Sequence, residues 1–523
     1  MTGSPATGRS LRPLAGVLAA LAMSLTGTRV SAIALPWFVL VTTGSATMTG
    51  LVAFCEMAPY VLVKLFVGPL VDHLGPRRVS WVADVVSAAG AGAVVLLHAF
   101  GLLAFPVLLG LVSLIGAARG PGDLAKEIMV PEAAERGRIP LERAAALSGV
   151  TERLAATVGP ATGGALVALA GPLVGLTASG ACFALGSVVI VWALPRARAS
   201  AEDAVPAQVP AGDLLAVQVS AEGAVPLQTS SHGSGRDSEG GAGERAGYWR
   251  RFAGGIAFLR GEPILLALAL MVAVTNLLDA AFAQVLVPVW ARESGHGPAV
   301  IGLNSSVMGL AAVGGSLVAA AVAHRMRRRA VFFVAFLLAG PPRFLVLAMD
   351  APVWAIVVVF ALSGLSGGLI NPILGAIYFE RVPRRLLGRV NALGDSLAWA
   401  GIPLGGLIAG AAVAAAGLSP VLAACGAAYF LTVGLTGLRR EWREMDQSRD
   451  AGRPAAVAAA GRASGAAGGG SGGASAERSS GAASGHSGGA AAGRSGGAAG
   501  GQHGGDLAGQ GRIGRERLED GQP

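Results

Sequence analysis

Long apolar stretches alternate with short polar breaks along most of the chain, and the length of each stretch is that of one membrane crossing. A helix needs roughly 20 mostly apolar residues to traverse the hydrocarbon core of a bilayer. Runs of that kind fall at about 14–41, 47–70, 78–99, 101–122, 144–170 and 172–194, then at 264–290, 299–323, 331–349, 352–377, 391–415 and 419–438. The pattern predicts an all-α membrane protein of twelve transmembrane helices in two six-helix bundles. Composition agrees, because 53% of the 523 residues are hydrophobic and only 14% are charged, about half the charged share usual for soluble domains. Arg9 and Arg12 precede the first run, but that run exceeds the roughly 7–15 residues of a signal-peptide core. It is expected to remain as an uncleaved first helix.

The polar intervals set the domain boundaries. A short N-terminus, 1–13, precedes the first bundle, 14–194. The interval 195–262, rich in Ser, Gly and Pro, reads as a linker. Its end, Tyr248-Trp249-Arg250-Arg251-Phe252, has the amphipathic character of a short interfacial helix. The second bundle covers 263–440. The tail, 441–523, is mostly Gly, Ala and Ser with scattered Arg, a composition with too little apolar surface to fold.

The net charge of +9 does not indicate a nucleic-acid partner, because the arginines sit in short breaks between apolar runs. Every second connection is basic: Arg77 and Arg78; Arg119, Lys126, Arg136, Arg138 and Arg143; the linker; Arg325, Arg327, Arg328 and Arg329; Arg381, Arg384, Arg385 and Arg389. The alternate connections lack Arg and Lys, with Arg292 as the one exception. The positive-inside rule then places both termini and the linker in the cytoplasm. Lys64 and Lys126 are the only lysines in an Ala- and Gly-loaded chain, which points to a high-GC genome and a bacterial inner membrane. Cys55, Cys182 and Cys425 lie in apolar runs without metal-ligand spacing. No His/Asp/Glu cluster, nucleophile arrangement or phosphate-binding glycine loop argues for an enzyme, a cofactor or an ATP-driven pump.

The halves repeat. An offset of 252 maps Pro36 onto Pro288, Gly50 onto Gly302 and Pro131 onto Pro383. Beyond that the offset becomes 243, mapping Pro160 onto Pro403 and Gly163 onto Gly406. The break between the second and third runs reads Gly68-Pro69-Leu70-Val71-Asp72-His73-Leu74-Gly75-Pro76-Arg77-Arg78. It resembles the loop signature Gly-x-x-x-Asp-Arg-x-Gly-Arg-Arg of the major facilitator superfamily, with His73 and Pro76 at two otherwise basic positions. The fifth run contains Gly159-Pro160-Ala161-Thr162-Gly163-Gly164, which resembles the Gly-Pro-x-x-Gly-Gly core of the motif associated with antiporters. Ala155 stands where that motif has a further Gly. Arg29-Val30-Ser31, Thr43-Gly44-Ser45-Ala46, Val130-Pro131 and Gly388-Arg389-Val390-Asn391-Ala392 are similar to the macrolide-efflux and enterobactin-exporter branch of drug antiporters. The resemblance covers about 14–440. It implies the major facilitator fold, two pseudo-symmetric bundles around a midplane cavity. It also implies that Gly68, Asp72, Gly75, Arg77 and Arg78 latch the cytoplasmic side between the halves when the protein faces outward. Gly159, Pro160, Gly163 and Gly164 are the antiporter-like motif or, equally, a packing face of small residues.

Ionisable groups at membrane depth are costly and mark function. Asp279, with Asn276 on the same helical face, is the first candidate for a coupling carboxylate, and Glu56 the second. Arg29 either pairs with one of these acids or recognises an anionic group of the substrate, and with Asn276 it is a candidate to line the substrate cavity; the alternative is a static ion pair locking the bundle. Glu152 and Arg153, adjacent and therefore pointing apart, are candidates for the cytoplasmic gate. Asp84 and Asp395 read as gate or capping residues, Lys64 as a lysine snorkelling to the headgroups. Arg343 has no evident partner, and Trp37 and Trp290 fit the interfacial belt. These features predict a monomeric secondary exporter of amphipathic small molecules driven by exchange for protons, with the bilayer as its other partner. Two other readings stand beside it: proton symport of a metabolite, and a non-transporting membrane sensor or partner protein.

Overall fold

The apolar runs become helices because a backbone in hydrocarbon must satisfy its own hydrogen bonds, and turn residues decide where each helix stops. The computed structural model describes residues 11–193, 260–322, 328–383 and 387–438. The linker through residue 259 with its Tyr248–Phe252 segment, residues 1–10, the basic turn at 323–327 and the tail lie outside the described residues.

The first half comprises α1 (Arg12–Thr43), α2 (Ala46–Phe66), the short α3 (Gly68–Leu74), α4 (Pro76–Ala99), α5 (Phe105–Gly137), α6 (Leu141–Ala170) and α7 (Pro172–Ala193). In the second half, α8 (Pro263–Ala281) runs through a π-helical segment (Phe282–Leu286) into α9 (Val287–Glu293). It continues with α10 (Gly297–Val322), α11 (Arg328–Ala339), α12 (Pro341–Ala348), α13 (Val353–Arg381), α14 (Leu387–Ala400), α15 (Ile402–Ala416) and α16 (Leu418–Leu438). Taken as continuous spans, these give twelve helices among the described residues that are long and apolar enough to cross a membrane.

Local chemistry accounts for the boundaries. Gly44 adopts φ +70° behind α1, and the Ser45 side chain accepts from the Met48 amide to cap α2. Proline opens α4, α7, α8 and α12, where its missing N–H costs nothing. The ninth span breaks at Gly340, ahead of Pro341 and Pro342, and the eleventh at Gly401, ahead of Pro403.

The fourth span departs most from the sequence-based expectation. The apolar run ends at about 122, but α5 continues to Gly137. Arg119 and Lys126, assigned above to a basic loop, are buried inside it. The core reflects this. In the second half, Phe282, Phe332, Phe344 and Phe360 belong to one large apolar cluster. In the first half three smaller apolar clusters form, while Ile33 and Leu40 join the large one.

Candidate transport site

In the first half, α2 and α5 face each other through residues spaced one helical turn apart. Arg119 donates to Glu56 at 2.6 Å, the Tyr60 hydroxyl donates to Asp123 at 3.3 Å, and Lys64 pairs with Glu127 at 3.4 Å. Each pair is separated by the same 63 positions. Residues 56, 60 and 64 share one face of α2, and 119, 123 and 127 one face of α5, so the three pairs form a ladder. The helices approach closely enough because Gly116 lies on the Glu56 carbonyl and Gly120 on that of Tyr60. Behind the ladder, Lys126 donates to Asp84 at 2.8 Å and to Ser24 at 3.2 Å, tying α5 to α4 and α1. Lys126 is fully buried and Asp84 nearly so.

Among the described residues, the second half carries a single counterpart in its interior: Arg343 on α12 forms an ion pair with Asp279 on α8. The guanidinium also stacks near Phe282 and Phe344, 4.9 and 5.5 Å from their ring centres. Asp279 immediately precedes the turn into the π segment, a geometry that recurs at functional sites.

The candidates named from sequence are thus brought together differently from expectation. Arg29 pairs with neither Glu56 nor Asp279, since each acid already holds another arginine. Its side chain instead lies exposed, its stem against Gly159, within Coulomb range of Asp123 and Glu152. Arg343 does have a partner. Asn276 donates to the Ala398 carbonyl at 3.0 Å, so it joins α8 to α14 in addition to sharing the helical face of Asp279. Lys64 does not snorkel away but turns inward to Glu127. Asp84 caps nothing; it is the buried partner of Lys126. Trp290 is only 2% exposed and stacks on His296, so it is a core residue and not part of a lipid-facing belt. Sequence reasoning missed Asp123 and Glu127 altogether and placed Arg119 and Lys126 in a loop. For Arg119, Asp123 and Glu127 the available signal was the constant separation of 63 from Glu56, Tyr60 and Lys64, hidden by the shorter fourth span; Lys126 had no such signal.

Glycine contacts hold the halves together at the end of the bundle carrying the uncharged connections. Gly50 on α2 lies on Gly406 of α15, and Gly164 on α6 lies on Gly302 of α10. Any larger side chain would force these backbones apart. The Thr47 hydroxyl donates to the Gly410 carbonyl at 3.2 Å, and Arg292 donates to the Leu40 carbonyl at 2.7 Å. Arg292, the exception in the charge pattern, therefore caps the C-terminal end of α1 from the other half. Of the antiporter-like motif, Gly159 and Gly163 receive α1, at Arg29 and Val30, while Gly164 and the Pro160 carbonyl meet Gly302.

At the basic end, Asp72 is exposed on α3, and Gly75 takes φ +81° to turn into α4. Arg77 donates to the Val191 carbonyl near the end of α7 at 2.8 Å. Arg329, its equivalent at the offset of 252, donates to Gly437 near the end of α16 at 2.9 Å. Both thus tie the last helix of their own half, and the repeat inferred from sequence is a repeat of contacts.

The architecture is a two-fold repeated helical bundle of twelve candidate membrane spans, with an ion pair inside each half and glycine contacts between the halves at one end. Residues 268–467 match the family model of the Major Facilitator Superfamily, and residues 13–217 that of the transmembrane secretion effectors. The multidrug efflux pump Tap of Mycobacterium tuberculosis is 31% identical over 450 residues, 84% of this chain and 97% of that protein. Tap of Mycolicibacterium fortuitum is 30% identical over 409 residues, 78% and 90% of the two chains. Among solved structures, a mutant of the nucleoside transporter NupG superposes with a TM-score of 0.59 at 12% identity, covering 82% of this chain and 100% of that one; this likeness concerns the fold. The chain belongs to the major facilitator superfamily and is a secondary transporter of small molecules in a bacterial membrane.

Proposed function

We propose that the protein exports amphipathic small molecules, drugs or secondary metabolites, by alternating access, with protons moving inward in exchange. The observation that carries this reading is the carboxylate–arginine pair at mid-depth in each half, Glu56–Arg119 and Asp279–Arg343. Protonating either acid removes the charge that holds its arginine. The pair therefore has two states of different charge, and the proton's differential affinity for them biases the conformational equilibrium. The multidrug efflux relatives support the direction and the substrate class.

Orientation follows from the charge pattern. With the basic connections inside, both termini are cytoplasmic and the glycine-shut end faces out. The halves are then arranged to load from the cytoplasm, as an exporter must before it turns. In the opposite state, Asp72, Gly75, Arg77 and Arg78 would latch the cytoplasmic side against the second half, with Glu152 and Arg153 beside that gate. A monomer suffices as the working unit, since the chain supplies both bundles.

The test uses inverted membrane vesicles energised by respiration, a fluorescent dye and a labelled macrolide. Wild type should accumulate substrate, a protonophore should abolish accumulation, and Asp279→Asn or Glu56→Gln should cut the initial rate at least tenfold. Accumulation that survives the protonophore but needs a sodium gradient would refute proton exchange. Uptake only in right-side-out vesicles would refute export.

A further inference from the structure

The lower end of the α2–α5 ladder reaches across to the second half. Lys64 Nζ lies 5.3 Å from the ring centre of Trp399 on α14 and 5.9 Å from that of Tyr60. The two rings stack 6.4 Å apart, inclined by 20°. Glu127 pairs with the same ammonium on one side. Asp395, one helical turn before Trp399 on α14, lies within Coulomb range of it on the other. Asp395 forms no ion pair among the described residues. One ammonium is therefore held by two aromatic faces and a carboxylate, with a second carboxylate from the other half near it but in no ion pair among the described residues.

We infer that this cage is the recognition site for the cationic group of the exported compound, and that Lys64 occupies it as a tethered substitute when no substrate is present. The chemistry is that of ammonium recognition. Aromatic faces attract cations through their quadrupole, most strongly where water is excluded, and the second carboxylate leaves charge for another cation. Lysine suits the substitute's part because its ammonium rides on a flexible stem and can be displaced without moving the backbone. Both halves contribute, Tyr60 and Glu127 from the first and Asp395 and Trp399 from the second, so a ligand here senses their relative position. The equivalents of Glu56, Tyr60 and Lys64 at the offset of 252 are Met308, Ala312 and Ser316. The repeat therefore holds no second copy of the cage. The substrate class assigned is an aromatic or amphipathic organic amine carrying one positive charge.

The inference rests on the export reading, and the experiment separates the two. Purified protein in detergent is titrated with ethidium, followed by fluorescence anisotropy, while vesicles report accumulation of ethidium and of an anionic dye, carboxyfluorescein. Lys64→Ala should tighten ethidium binding about tenfold, by removing the internal competitor. Trp399→Leu and Asp395→Asn should each weaken it about tenfold, whereas Trp399→Phe should keep most of it. Unchanged or weaker ethidium binding in Lys64→Ala, with a monodisperse elution profile, would overturn the cage. So would carboxyfluorescein accumulation without ethidium accumulation, although export itself would then stand. If neither dye moves and no variant alters ethidium binding, both readings fall.

Discussion

Lys126 and Asp84 show what a buried charge demands of its neighbours. Taking an ammonium and a carboxylate out of water costs several kcal/mol per ion, and only close pairing and added hydrogen bonds offset it. Here the pair is 2.8 Å apart and Ser24 accepts a further bond from the lysine. Removing one partner strands the other. Lys126→Met alone should destabilise the detergent-solubilised protein by about 3–5 kcal/mol, read as a large fall in melting temperature and yield. The double variant Lys126→Met/Asp84→Asn should recover most of that loss. If the single variant is as stable as wild type, the pair has no structural role. This pair is not legible in the sequence, because a charge buried inside a helix and a charge in a loop look the same in one dimension. Asp279 was legible as an intramembrane acid, but its partner Arg343 lies 64 positions away, and such pairings require the tertiary structure.

At the scale of elements, what matters is which helices can touch closely. Gly50 against Gly406 and Gly164 against Gly302 are backbone-to-backbone approaches between halves, and a Cβ at either place meets main-chain atoms that cannot rotate away. Gly164→Val should hold the uncharged end open and cut transport at least tenfold while leaving the protein folded. A cysteine placed at Thr47 should then become more reactive to a membrane-impermeant thiol reagent than in the unmodified background. Equal reactivity would show that this contact does not close the end. These glycines were visible in the sequence as a motif and as repeat positions. Which of them faces its own half and which faces the other was not. Gly159 and Gly163 receive α1, and Gly164 receives α10, because successive positions on a helix point about 100° apart and three helices crowd around α6.

At the scale of the whole molecule, two bundles of equal topology differ in content. The first holds the polar ladder and a divided apolar core, the second an aromatic cluster around one ion pair. Their relative position is set at one end by glycine contacts, and toward the other Lys64 meets Trp399, while the proposed Asp72 latch belongs to the opposite state. Asp72→Asn should therefore weaken the latched state and shift the population toward the arrangement seen here. The check is whether cysteines on the basic side, such as one at Leu65, label faster in the variant; slower labelling would reverse the assigned role. Helix number, the repeat and the charge asymmetry between ends were determined by sequence alone, because hydropathy and loop charge are local quantities read along the chain. The partners of Glu56, Asp279, Lys64 and Lys126 were decided only by the tertiary structure. An ion pair inside a bundle depends on which helix faces are turned together, and hydropathy along one helix carries no record of its neighbour's rotation.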